Sequence, residues 1–321
     1  MIHRIRGIRG RCRALRPHMT RLTLVGLLAA ACARSTPPSA PAAAPAAPVA
    51  APDSPRRSPI ALTYLGVAGW QIDAGAITIL ADPYFSRPDV DGVMVPDAAA
   101  IAARAPARAD LIVIGHSHVD HLLDAPAVAR RTGAQIMGSV STARVARASG
   151  LADDRIIPVQ GGEDYAFAAG YSVRVMRSLH SALGGKHVAA GVEIPAGVHL
   201  PMRFADYTDG GAYAYLVRVA GHQVFVLSTA NFIEREIEGL RPDIAIVATG
   251  LRQEIHDYTC RLMRALGNPP LVYTNHFDDW HGAPVDAPPD DDLRAFVAEV
   301  ARCSPATRVV IPKHFERMTV P

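Results

Sequence analysis

Residues 111–124 read LIVIGHSHVDHLLD: a short apolar run, a glycine, then three histidines and two acids within nine positions. Four apolar residues bounded by glycine read as a buried strand. The ionisable cluster follows its C-terminal end, where α/β proteins tend to build sites. Such a cluster is hard to bury unaided. Each imidazole and carboxylate taken out of water needs a partner, and protonated histidines repel one another. A divalent cation removes both problems by binding neutral imidazole nitrogens and a carboxylate. The segment therefore restricts the chain to folds that present a strand end as a metal site.

The surrounding pattern is compatible with one. Of the 321 residues, 49% are hydrophobic, enough for the core of one large α/β domain. IALTYLG (60–66), GWQID (69–73) and AITILAD (76–82) read as adjacent strands with glycine-bearing turns. Helices are expected at 125–131 and 141–150, and strands at 134–138, 155–159, 165–169 and 171–178. Residues 211–229 read as a hairpin about Ala220-Gly221-His222. A helix at 231–240, a strand at 243–249, a helix at 254–267, a strand at 271–275, a helix at 291–302 and a strand at 307–313 follow. Both halves begin β-rich and continue as βαβ, which predicts two sheets with helices outside them, a four-layer αββα sandwich over 60–321. The Gly/Pro-rich stretch 181–211 has no period, and following His180 it is expected to be a lid or substrate loop.

The N-terminal part differs in kind. Residues 1–31 carry seven arginines and no acid, and end in the apolar run LTLVGLLAAA (22–31). This is too short to span a bilayer stably and suits a signal peptide, with Met1 or Met19 as the start. Cys32 within AAACARS resembles the bacterial lipobox, which implies lipidation at Cys32, although Ala29 stands where leucine is usual. The tract to residue 59 is rich in Pro and Ala and is expected to be a disordered tether. Export to the cell envelope, or secretion if Cys32 is not lipidated, follows from this reading. Without the leader the 33 basic residues fall to 26 against 30 acidic ones, a balance near −4 that disfavours nucleic acid as a partner. Cys260 and Cys303 can pair in an oxidising compartment or remain as buried thiols.

HSHVDH (116–121) resembles the His-x-His-x-Asp-His hallmark of the metallo-β-lactamase fold superfamily at all four positions, and ADPYFSRP (81–88) resembles its branch of ascorbate-phosphate lactonases and N-acyl-phosphatidylethanolamine phospholipase D. The resemblance implies that His116, His118 and His180 hold one cation, and that Asp120, His121 and His276 hold a second. His314, in VVIPKHFERM, is a rival to His276 and is otherwise a surface residue. The bridging aspartate usual in the family is missing, because LSTANF (227–232) offers Ser228, Thr229 and Asn231 instead. Asn231 is expected either to donate to a substrate oxygen or to cap the following helix. Asp82 is expected either to orient a ligand histidine or to cap its own turn. Asp278, Asp279, Trp280 and His281 are placed near the pocket, with the two acids read as a solvated loop.

The implied chemistry is hydrolysis of an ester, lactone or phosphodiester by a metal-bound hydroxide, with Asp120 accepting its proton and zinc as the favoured cation, in one or two copies. Small or lipid-like substrates suit an envelope location. The alternative is a metal- or ligand-binding lipoprotein of the same fold with little activity, suggested by the missing aspartate.

Overall fold

The described residues form sixteen strands, most of them from alternating or continuous apolar runs, and their pairing explains where the histidines meet. The computed structural model describes residues 57–183 and 191–321. The leader, Cys32 and the Pro/Ala tract up to residue 56 lie outside the described residues, as does 184–190.

The first half contains strands β1 (Ile60–Gly66), β2 (Gly69–Ala74), β3 (Ile77–Ala81), β4 (Val93–Met94), β5 (Leu111–Val113), β6 (Gln135–Gly138) and β7 (Ile156–Pro158). Helices α1 (Ala98–Arg104), α2 (Val119–Leu122), α3 (Ala125–Thr132) and α4 (Val140–Ala148) lie between them. The second half contains β8 (Asp164–Phe167), β9 (Tyr171–Ser178), β10 (Met202–Arg203), β11 (Ala212–Val219), β12 (His222–Leu227), β13 (Ile244–Ala248), β14 (Leu271–Asn275), β15 (Arg308–Val310) and β16 (Arg317–Val320), with helices α5 (Glu234–Ile237), α6 (Tyr258–Ala265) and α7 (Asp291–Cys303).

Two seven-stranded sheets result, in the orders β16-β1-β2-β3-β5-β6-β7 and β15-β14-β13-β12-β11-β9-β8. Each is antiparallel at its meander and parallel where helices intervene, as crossover connections require. Three apolar clusters define the layers. Trp70, Ile72 and Val113 of the first sheet meet Tyr215, Val226 and Ile246 of the second. Leu80, Ile112 and Ile136 pack under α3 and α4, while Phe225, Val247 and Val272 pack under α6 and α7. This is the four-layer αββα sandwich. Among the described residues no helix is long and apolar enough to cross a membrane.

Several elements differ from the sequence expectation. The helix expected at 231–240 is the single turn α5, because the chain at 229–232 is drawn into contacts with the end of β9. Gly239, at φ +81°, marks its end. Strand β16 leaves the second half to pair with β1, from Ile60–Val320 to Thr63–Arg317. Cys260 and Cys303 are joined in a disulfide between α6 and α7, with Cα atoms 5.5 Å apart.

Candidate metal centre

Strand β5 ends at Val113, and Ile114 still pairs with β6 through its amide. Gly115 then passes against the second sheet. A Cβ there would lie 2.5 Å from Ser228 and 3.0 Å from Asp82 Oδ2, so only glycine fits. The motif turns directly into α2, with His118 as N-cap. This short turn splits the motif. His116 and His118 face the end of β9, whereas Asp120 and His121 face the end of β14.

Two donor sets result, and in each the donor atoms lie within 4.8 Å of one another. In the first, His116 Nε2 lies 3.1 Å from His118 Nδ1 and 3.1 Å from His180 Nε2. In the second, Asp120 Oδ2 lies 3.3 Å from both His121 Nε2 and His276 Nε2. The His116 and His121 rings are 3.8 Å apart, so the sets are adjacent. A tetrahedral cation with bonds of about 2.0–2.1 Å holds its donors about 3.3 Å apart, which both sets match. Three imidazole nitrogens converging on one point cannot satisfy one another, since a neutral ring has one donor and one acceptor. The donor chemistry therefore fits divalent cations.

Electrostatics agree. Burial, then the neighbouring histidines, push His116 well below the ordinary histidine value. The same causes bring His118 to about 3, and burial lowers His180. All three are neutral imidazoles ready to ligate. Burial alone would raise Asp120, but His121 and His276 hold it well below the carboxylate range. Burial alone would lower His121, yet the carboxylates of Asp120 and Asp82 raise it to about 10. Asp82 is fully buried. Its Oδ1 accepts from Gly115 N at 2.7 Å, and its Oδ2 sits 3.1 Å from His121 Nδ1, which orients that ring.

His180 and His276 are fixed by different means. Asn231 Nδ2 donates to the His180 carbonyl at 3.1 Å, while its Oδ1 accepts from Phe232 N. The amide that the sequence suggested for a substrate oxygen is thus engaged within the protein, and it caps no helix, since Ile233 is the N-cap of α5. No carboxylate stands at Ser228 or Thr229. Ser228 is buried, and Thr229 Oγ1 accepts from Ser181 N at 2.9 Å. His276 N donates to Val67 O at 2.7 Å, and the neighbouring Asn275 accepts from Trp70 Nε1 at 3.0 Å.

Of the two acids read as a solvated loop, Asp278 is not solvated. Asp278 accepts from Tyr64 Oη at 2.5 Å and from Val67 N at 2.9 Å, and its Oδ2 lies 2.9 Å from His314 Nε2. His314 therefore braces the loop after β14 and belongs to neither donor set; its Nδ1 reaches Asp286 at 2.8 Å. This partnership spans elements distant in sequence, and only the pattern VVIPKHF hinted at it. Asp279 is exposed, in keeping with a solvated loop.

Five of the six donors, all but the buried His121, line a cavity of about 660 Å³. Val119, Thr229, Leu251, Phe277, Trp280 and Leu293 line it, together with Ser181, Leu183, Phe204 and Tyr207 from the 181–211 segment.

Comparison with known proteins gives the same picture. A family model described as a beta-lactamase superfamily domain matches residues 61–266. A UPF0173 metal-dependent hydrolase of Aeropyrum pernix is 33% identical over 156 residues, which are 42% of this chain and 57% of that protein. One from Methylobacterium nodulans is 28% identical over 266 residues, 81% of this chain and 99% of the relative. Among solved structures, the metallo hydrolase Igni18 of Ignicoccus hospitalis superposes with a TM-score of 0.56 at 18% identity, over 82% of this chain and 99% of that one.

Proposed function

This chain belongs to the β-lactamase superfamily as a metal-dependent hydrolase, and from that premise we propose that it cleaves an ester, lactone or phosphodiester bond at the cell envelope. The observation that carries the reading is the pair of adjacent three-donor sets, five of whose six members line one cleft while His121 lies buried behind it. His116, His118 and His180 would hold one cation, for which zinc is the favoured choice, and Asp120, His121 and His276 a second. A cation bound there supplies Lewis acidity, acidifying water and polarising the scissile oxygen. The protein's own groups do the rest. Asp120 is ionised and lines the cleft, so its carboxylate orients an attacking water and takes up a proton. Asp82 fixes the His121 ring, and Asn231 fixes the backbone of His180.

The arginine-rich leader, its apolar run and Cys32 support export and lipid anchoring, with a small or lipid-like substrate. Turnover of 4-nitrophenyl acetate, a γ-lactone or bis(4-nitrophenyl) phosphate by the zinc-loaded protein tests the reaction. Hydrolysis of at least one, abolished in His116→Ala and reduced at least 100-fold in Asp120→Asn, is expected. The missing carboxylate at Ser228 favours a second reading, a binding protein with the hydrolase fold; zinc binding without turnover of any of the three would select it.

A further inference from the structure

Resting on the hydrolase reading, we propose that the substrate carries an uncharged alkyl or aryl limb, which lies along Phe204, Trp280, Leu251 and Leu293 and bears no anionic group at its far end. Phe204 and Trp280 stack with ring centroids 5.4 Å apart and planes within 10°, forming one aromatic face of the cleft. Phe204 is 39% exposed and Leu251 44% exposed, although both are large and apolar. Apolar surface left open at a cleft mouth next to reactive groups is the usual mark of a ligand wall.

Charge decides what that limb ends in. Among the described residues lining the cleft there is no lysine or arginine, whereas Asp278, Asp290 and Asp292 all contribute. The N-terminus of α7 reaches the cleft but is already capped, since the Asp290 side chain accepts from Leu293 N at 2.8 Å. Asp291 and Asp292 add negative charge to its first turn. The guanidinium of Arg252 is buried and committed to Asp292 and Glu299. Among the described residues a phosphate or carboxylate on the limb would find no uncommitted cation in the lining, and would meet the Asp290 and Asp292 carboxylates of the α7 N-terminus instead. A neutral chain loses nothing to them and gains by burial, about 0.8 kcal/mol or roughly fourfold in affinity per methylene.

The test is binding, so it does not depend on turnover. Calorimetry on the full chain, with and without zinc, compares N-octylacetamide, N-ethylacetamide and 8-acetamidooctanoate, three non-ester amides differing in chain length or terminal charge. N-Octylacetamide is expected to bind at least tenfold more tightly than each of the others. Phe204→Ala and Leu251→Asp, both at exposed positions, are expected to weaken it at least fivefold without changing zinc content. Equal or tighter binding of 8-acetamidooctanoate, or octyl binding that ignores both substitutions, overturns the proposal. Octyl binding with no turnover of 4-nitrophenyl acetate, a γ-lactone or bis(4-nitrophenyl) phosphate would leave this inference standing and select the binding-protein reading instead.

Discussion

Asp82 Oδ2 lies 3.1 Å from Nδ1 of His121 inside a fully buried pair, while Asp82 Oδ1 holds the Gly115 amide at 2.7 Å. One carboxylate thus fixes both a ring of the second donor set and the backbone that delivers the motif. Removing its charge while keeping its shape separates these roles. Asp82→Asn is expected to weaken the second cation about 10- to 100-fold and leave the first nearly unchanged, as read by competition with a chelator. Equal loss at both positions would contradict the assignment.

Asp278 pins the loop after His276 to the β1–β2 turn. Asp278→Ala leaves the Val67 amide and His314 Nε2 without their acceptor and the Tyr64 hydroxyl with only the Val67 carbonyl, and a destabilisation of about 1–3 kcal/mol is expected in denaturant titrations. The pH dependence has a definite sign. Burial alone would raise Asp278, but hydrogen bonds from His314 and Tyr64 hold it low, so its contribution is present above the unfolded value near 3.9 and lost as pH falls through the lowered folded value. Burial alone would lower His314, but Asp278 and Asp286 raise it, so its contribution is present below about 6.5 and lost as pH rises through the raised value. The stability difference between the native protein and His314→Gln should therefore peak between about pH 4 and 6.5 and shrink above it.

The metal-free protein should be acid-labile for a different reason. His116, His118 and His180 all have folded values below that of the unfolded chain. The unfolded state then binds their protons first, and stability falls as pH drops below about 6.5. Urea midpoints of chelator-treated protein should decline from pH 7 to 4.5, less steeply in His118→Gln. Proton release separates the two sets. The three neutral histidines bind a cation without releasing protons at pH 7, whereas His121, raised to about 10, releases one. Calorimetry in two buffers of different ionisation enthalpy reads this directly.

The Cys260–Cys303 disulfide closes a separation of 43 residues and joins α6 to the helix whose first turn lines the cleft. Its loss is expected to lower stability by about 4 kcal/mol on chain-entropy grounds. Cys260→Ser should unfold at lower denaturant than the oxidised protein and match the reduced one.

The sequence made the motif legible because its four candidate donors fall within six residues and follow a strand that apolar composition alone marks. His180 and His276 were legible as strand ends. The choice of His276 over His314 rests on contacts no local pattern carries, Trp70 with Asn275 and Val67 with His276. Asp278 looked solvated because acids in loops usually are; its partners lie on β1 and beyond β15, more than 200 and more than 30 residues away. Strand β16 was missed because four residues with an arginine at their head read as a tail until β1 pairs with them. The helix at 231–240 failed because side-chain bonds from Ser178 and Asn231 compete with helical pairing at its start.

The metal content of the purified full chain, by elemental analysis after dialysis against a slight excess of zinc, tests the central claim most directly. Two zinc ions per chain are expected from the two donor sets, with loss of the ion of the Asp120 set in His276→Ala and of the ion of the His116 set in His118→Ala. No bound zinc, or a content that neither substitution changes, would contradict a metal centre at the end of β5.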